Sequence, residues 1–169
     1  MRTLALLALF AGLFALAPSG CQKNKDNFCM ENVSFSGTAP VGDAAFTLPN
    51  GQAYSGMGGL PNPTTFGKYT GDFQSVVTKQ TPTATGMDVE LVHYFDDGKG
   101  NAFWTSDKAT FTPLDTTFTR FQVYDVMTIV DGTGDFKCAS GEIINQGPAN
   151  FAAGTLEVNL TGKICGGCD

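Results

Sequence analysis

The chain has 169 residues, with 10 basic and 16 acidic side chains and a formal net charge of −6. This acidic balance and the absence of a basic stripe argue against a protein that binds the nucleic-acid backbone. The length suits one folded domain, and the acidic residues are scattered in a way that favours solubility.

The N-terminus has the pattern of an export signal. Arg2 is followed by an unbroken apolar run at residues 4–17, which is shorter than the about 20 residues that span a bilayer. The sequence Pro-Ser-Gly-Cys that ends at Cys21 resembles the lipobox of bacterial lipoproteins, in which the cysteine is acylated and becomes the new N-terminus. The resemblance implies a palmitate-bearing membrane anchor at Cys21. Because Gln22 is not aspartate, it also implies the outer membrane in a Gram-negative cell. The alternative is an ordinary signal peptide with Cys21 free.

The predicted organisation is therefore a removed signal peptide at residues 1–20, a polar tether at 21–29 and a folded domain at 30–169. Apart from Cys21, the chain has four cysteines: Cys29, Cys138, Cys165 and Cys168. An even number in an exported chain predicts two disulfides, with three connectivities open. The last pair has the spacing of a redox motif, but such a pair opens a helix and only one residue follows here. We therefore expect structural bridges, at least one of them tying the two ends of the domain together.

Period-two alternation predicts strands through most of the domain. They are expected at residues 30–36, 66–78, 87–95, 102–111 and 117–130, followed by two closing strands. Residues 37–64, rich in glycine and proline, are expected to form a long loop with a short strand near Phe46 and Leu48. Pro82 is expected to end a strand, and residues 96–100 to form a hairpin turn.

The strand at 117–130 is apolar on both faces. One face carries Phe121, Val123, Met127 and Ile129, and the other carries Phe118, Tyr124, Val126 and Val130. A strand of this kind is expected to be covered on its outer side by a loop or a partner. No segment has a convincing helical period. The sequence thus predicts an all-β fold: a single antiparallel barrel of about eight strands, closed or nearly closed and stapled by disulfides.

A glycine-rich segment precedes the closing strands. Its defining residues are Gly132, Thr133, Gly134, Phe136, Ala139 and Gly141. This segment resembles one found in dirigent proteins and allene oxide cyclases, where it follows a long apolar strand of a barrel. The glycines permit a tight turn and close strand approach, and Phe136 is expected to plug a barrel end. The alternative is an ordinary glycine-rich hairpin, and in either case these residues are structural.

The only histidine, His93, shares a predicted strand face with Val89, Leu91 and Phe95. It is either a hydrogen-bonded core residue or a group that orients a ligand, with the candidate neighbours Tyr94, Trp104 and Asp107. One histidine cannot form a histidine metal cluster, and the acidic turn at 96–101 lacks the layout of a calcium loop. No catalytic set, metal site or cofactor is predicted.

Three functions fit these expectations. The first is a non-catalytic binding or structural module of the cell envelope that holds a small apolar ligand. The second, implied by the resemblance to allene oxide cyclases, is an isomerase or cyclase that shapes a cavity around an apolar substrate. The third is a protein-interaction module that uses the two-sided strand at 117–130.

Overall fold

The structure, a computed structural model, describes residues 28–168, which form one antiparallel sheet of nine strands. The predicted signal peptide, Cys21 and the residues of the tether up to 27 lie outside this part. The strands are β1 (Phe28–Thr47), β2 (Ala53–Gly59), β3 (Asn62–Phe66), β4 (Tyr69–Thr83), β5 (Gly86–Asp96), β6 (Ala102–Pro113), β7 (Arg120–Thr133), β8 (Ser140–Asn150) and β9 (Thr155–Gly166). A single 3-10 turn lies at Gly134–Phe136.

The sheet rolls into a nearly closed barrel, and this confirms the predicted fold class with nine strands in place of about eight. The spatial order is β2-β1-β9-β8-β7-β6-β5-β4-β3, so β2 and β3 are the two ends of the sheet. Beyond β3, the strand β2 lies directly against β4. The Gly59 amide donates to the Ser75 hydroxyl at 2.9 Å. A side chain on Gly58 would overlap the Ser75 carbonyl oxygen, so only glycine allows this approach.

The expectation of a long loop at 37–64 is wrong. The first half of β1 pairs with β9, and its second half, from Val41 onward, pairs with β2. Pro40 sits where β1 changes partner, and its carbonyl accepts the Leu60 amide. The N–H and C=O of a strand residue point to the same side, so the missing N–H lies on the side of β2 and not on that of β9. The strand also begins earlier than predicted, because Phe28 and Cys29 belong to β1 and not to the tether.

The predicted strand at 66–78 is divided differently. Phe66 ends β3 and pairs with Tyr69 of β4 across a tight turn. Strand β4 then runs through Pro82, which faces Met87 of β5. Since β4 has passed the end of β3 at that point, Pro82 lies on an open edge, where a missing amide breaks no pairing.

The end of the β1–β2 hairpin folds over the outer face of β4, β5 and β6. Phe46 and Leu48 pack there in one apolar cluster with Val92, Tyr94 and Trp104. The ring of Phe46 stacks on that of Tyr94 with centroids 5.5 Å apart. The second half of β5 and the start of β6 are therefore buried on both faces. The residues predicted as a loop provide this cover.

The outer face of β7 has no such cover from the described residues. Tyr124 is 43 % exposed and Val130 is 50 % exposed. Phe118 precedes the strand, with a positive φ of 56°. Of the two covers expected for the outer face of 117–130, a loop is therefore not found within residues 28–168, and a partner stays a prediction.

Two disulfides close one end of the barrel, as the cysteine count predicts. Cys29 of β1 is bonded to Cys165 of β9, which ties the two ends of the described chain together. Cys138 is bonded to Cys168. The glycine-rich segment lies at the same end. Here Gly134 has a φ of +60°, and a side chain on it would collide with Asn101.

Candidate functional site

The interior of the barrel has three layers. Inward-facing residues alternate along each strand, and the layers differ in chemistry from one end to the other. The disulfide end is an aromatic plug, the middle is polar, and the opposite end is an apolar pocket. Each layer takes residues from several strands.

The aromatic plug fills the disulfide end completely. Phe66, Phe95, Phe103 and Phe136 are all fully buried. The Phe136 ring lies 5.1 Å from that of Phe103 and 5.9 Å from that of Phe95, measured between centroids. The described interior is therefore tightly packed at this end.

The polar layer lies above the plug and centres on His93. The His93 Nδ1 atom is 2.6 Å from the Oδ2 of Asp107 and 4.0 Å from the Oδ2 of Asp125. The three residues come from β5, β6 and β7, and all are buried. Phe73 stacks on the imidazole with centroids 4.9 Å apart and forms the boundary with the plug.

Three further buried polar residues complete this layer: Ser75, Thr105 and Asn145. The Thr105 hydroxyl accepts the backbone N–H of His93 at 3.0 Å. The Asn145 side-chain oxygen accepts the backbone N–H of Asn159 at 2.9 Å. Their hydrogen bonds to the backbone hold the strands around the His93 cluster.

The electrostatics of the cluster are dominated by burial. The pKa of Asp125 is raised to about 7, chiefly by burial; the charge of His93 lowers it and the charge of Asp107 raises it. Burial acts to lower the pKa of His93, but the charge and hydrogen bond of Asp107 and the charge of Asp125 outweigh it and raise that pKa. Both shifts favour the protonated forms, so His93 and Asp125 each hold a proton more tightly than they would in water.

Two atoms of this cluster have no hydrogen-bond partner among the described residues: the Oδ1 of Asp107 and the Oδ1 of Asp125. A buried polar atom without a partner costs about 1–3 kcal/mol, and more when the group is charged. Both atoms belong to the same polar layer, so this cluster lacks two hydrogen-bond partners among the described residues.

The apolar pocket lies at the end opposite the disulfides. Its volume is about 360 Å³, and its walls include Val77, Val89, Leu91, Phe111, Phe121 and Ala149. The only polar side chains in its lining are Ser75 and Gln80, and no charged side chain takes part. Ser75 is paired with His93 across β4 and β5, so the pocket floor lies next to the polar layer.

The rim of the pocket is apolar and exposed. Phe118 is 65 % exposed, Met57 is 49 % exposed and Phe151 is 37 % exposed, and all three line the opening. Phe151 is supported from below by Phe111 and Phe121, with ring centroids 6.1 Å and 5.5 Å away. Large apolar groups held in water around an apolar opening are typical of a binding surface.

The predicted site residues divide into two groups. The structure brings His93 and Asp107 together inside the barrel. The expectation that Tyr94 and Trp104 lie with them is wrong, because both side chains point outward and are buried under the β1–β2 hairpin. None of these four residues lines the pocket.

Sequence reasoning missed Asp125 and Asn145. Asp125 lies between Val123 and Met127 on the inward face that the sequence already identified, so period two alone would place it inside. The role of Asp125 depends on which residues face it from neighbouring strands. No sequence pattern identifies those residues.

Comparison with protein-family models, with curated proteins and with solved structures found no match to this chain. Within residues 28–168, no helix is long and apolar enough to cross a membrane.

Proposed function

We propose that the protein is a non-catalytic binding module of the cell envelope that holds a small apolar molecule in the pocket at the open end of its barrel. The observation that carries this proposal is the pocket of about 360 Å³ with an uncharged lining. Pockets for small molecules have volumes of about 300–1,000 Å³ and mainly apolar walls. The exposed rim of Phe118, Met57 and Phe151 supports the same role.

The proposed place in the cell rests on the lipobox-like sequence at Cys21. Phe28, where β1 begins, lies at the disulfide end and away from the pocket. Cys21 precedes Phe28 by seven residues (28 − 21), which span at most about 25 Å when extended. An anchor at Cys21 keeps the disulfide end near the membrane, so the ligand enters from the aqueous side.

An isomerase or cyclase, the role implied by the resemblance to allene oxide cyclases, is the second candidate. It is favoured by the cluster of His93, Asp107 and Asp125 next to the pocket floor. A catalyst, however, needs its polar groups against the substrate, and none of these three side chains lines the pocket. Binding without chemistry therefore fits the geometry better.

A protein-interaction role is the third candidate. It is favoured by the uncovered apolar face of β7 at Tyr124 and Val130. A single species that stays monomeric at high concentration and captures no second chain would count against this candidate.

The binding proposal is tested with a neutral fluorescent probe, N-phenyl-1-naphthylamine, titrated against the full chain carrying Cys21→Ser. This substitution removes the predicted lipid site, so no detergent is needed. We expect saturable fluorescence enhancement with one site per chain. In Ala149→Leu an isobutyl group enters the pocket in place of a methyl group, and binding should weaken by about tenfold or more, the effect of about 1.4 kcal/mol.

The matched control is Ala45→Leu, the same substitution at an exposed position of β1. It should leave probe binding unchanged. Equal binding by the wild type and Ala149→Leu would show that the probe does not occupy the pocket and would overturn the proposal.

A further inference from the structure

We propose that His93, Asp107 and Asp125 bind a divalent transition-metal ion inside the barrel. The three residues project inward from the adjacent strands β5, β6 and β7, and one potential ligand atom from each lies within 4.8 Å of the others. This inference is independent of the binding function proposed for the pocket.

The strongest observation is the pair of unpartnered carboxylate oxygens, Oδ1 of Asp107 and Oδ1 of Asp125. Asp107 is 2 % exposed and Asp125 is 3 % exposed, so water does not satisfy them from outside. A carboxylate removed from water is stable only when it is paired, protonated or bound to a cation. One metal ion between the two residues would supply the missing partner to both.

The spacing of the ligand atoms fits a small metal ion. Bonds of about 2.0 Å in a tetrahedral site place neighbouring ligand atoms about 3.3 Å apart. The observed distances from His93 Nδ1, 2.6 Å to Asp107 and 4.0 Å to Asp125, lie on either side of that value. A bound ion requires the two carboxylates to rotate until these distances are equal.

The donor set and charge point to a class of metal. One neutral imidazole and two carboxylates carry a charge of −2, which a divalent cation cancels. An imidazole nitrogen with carboxylate oxygens suits zinc, manganese or iron(II), whereas magnesium and calcium prefer oxygen alone. The metal takes the place of the proton between His93 and Asp107, and that proton is released to solvent, as is the proton of Asp125 wherever this carboxyl is protonated before the metal binds.

The neighbouring polar residues leave the remaining coordination positions open. Asn145 uses its side-chain oxygen on the Asn159 amide, and the Thr105 hydroxyl accepts the backbone N–H of His93. Three protein ligands with the rest of the shell open are typical of a site that also holds water or a bound molecule.

The experiment uses the full chain with Cys21→Ser, purified without a polyhistidine tag and stripped with EDTA. Calorimetric titration with zinc chloride, and separately with manganese chloride, should give one site per chain. Loss of an outer-shell partner of a ligand already weakens binding by about 10–100-fold. Asp125→Asn and His93→Gln should therefore each weaken binding by about 100-fold or more.

The matched control is Asp88→Asn, which removes an exposed carboxylate from β5 and should leave the site intact. Retention of full affinity in Asp125→Asn and His93→Gln, or the absence of stoichiometric binding in the wild type, would overturn the proposal.

A second readout does not depend on the variants folding. His93 is the only histidine in the chain, so its imidazole ¹⁵N resonances are assigned without mutagenesis. Adding one equivalent of zinc to the stripped wild type should shift Nδ1 from a protonated to a metal-bound value. An Nδ1 resonance that does not change on saturation with zinc contradicts the proposal directly.

Discussion

We predict that the free energy of unfolding falls as pH rises, chiefly because of Asp125. The pKa of this carboxyl rises from its ordinary 3.8 to about 7 in the folded barrel, chiefly through burial. Between these two pH values the folded chain holds a proton that the unfolded chain has lost. Rising pH therefore lowers the free energy of unfolding across that interval. The raised pKa of His93 acts in the same direction, since the stability that it provides is lost as pH rises through the folded pKa.

The magnitude follows from the shift at this one group. At about 1.4 kcal/mol for each tenfold change in an ionisation equilibrium, the rise from 3.8 to about 7 corresponds to about 4 kcal/mol lost by about pH 8. In Asp125→Asn this loss is absent, because the amide has the same shape and carries no charge. The amide N–H₂ can also donate to an oxygen of Asp107, which otherwise has one unpartnered atom.

The assay is urea unfolding of the EDTA-stripped chain at about pH 5 and about pH 8.5. Between about pH 5 and the folded pKa of about 7, this one group accounts for a loss of about 2.7 kcal/mol. With a denaturant slope of about 2 kcal/mol per molar, the wild-type midpoint should therefore fall by about 1.4 M between the two pH values of the assay. Asp125→Asn should have the higher midpoint at alkaline pH and a much flatter dependence. Wild-type stability that is equal at both pH values, or a variant with the wild-type slope, would refute the role given to Asp125.

The remaining predictions concern the barrel itself, each measured by chemical or thermal unfolding. Gly58→Ala should destabilise the fold by several kcal/mol, because the new methyl group meets the backbone of β4, whereas Gly42→Ala, which meets only a side chain at 3.4 Å, should have little effect. Phe136→Ala should cost about 3–5 kcal/mol by emptying the centre of the plug. Removal of the Cys29–Cys165 bridge, which closes a loop of 136 residues, should cost about 5 kcal/mol on the chain-entropy account.

Much of the fold could be predicted because strands leave a local signal. Alternation located β5, β6, β7 and β9, since the inward positions of each strand recur every second residue and are mostly apolar. The same signal failed at residues 37–64. There the β1–β2 hairpin covers the outer face of the sheet at one end. The backbone of β2 approaches the backbone of β4 at Gly58 and the Ser75 side chain at Gly59. Glycine and proline at these positions serve close packing and a change of partner, yet in the sequence they look like loop residues.

The polar cluster could not be predicted because it runs diagonally across strands. Leu91 of β5 is paired with Asp107, and Ala109 of β6 is paired with Asp125. His93 thus lies next to Asp107, and Asp107 next to Asp125, each two residues away from direct pairing along its ladder. Strands in a barrel are tilted, so a ring around its interior follows such diagonals. Only the register between strands reveals them, and each residue alone looks like an isolated polar side chain.

The central claim is that a small apolar molecule sits inside the open end of the barrel. Isotope-edited nuclear Overhauser spectra of the methyl-labelled chain with bound N-phenyl-1-naphthylamine test it most directly. We predict contacts from the probe to methyl groups of Val89, Leu91 and Ala149, which line the pocket. Contacts confined to Val130 on the outer face of β7, with none to those three residues, would contradict the account.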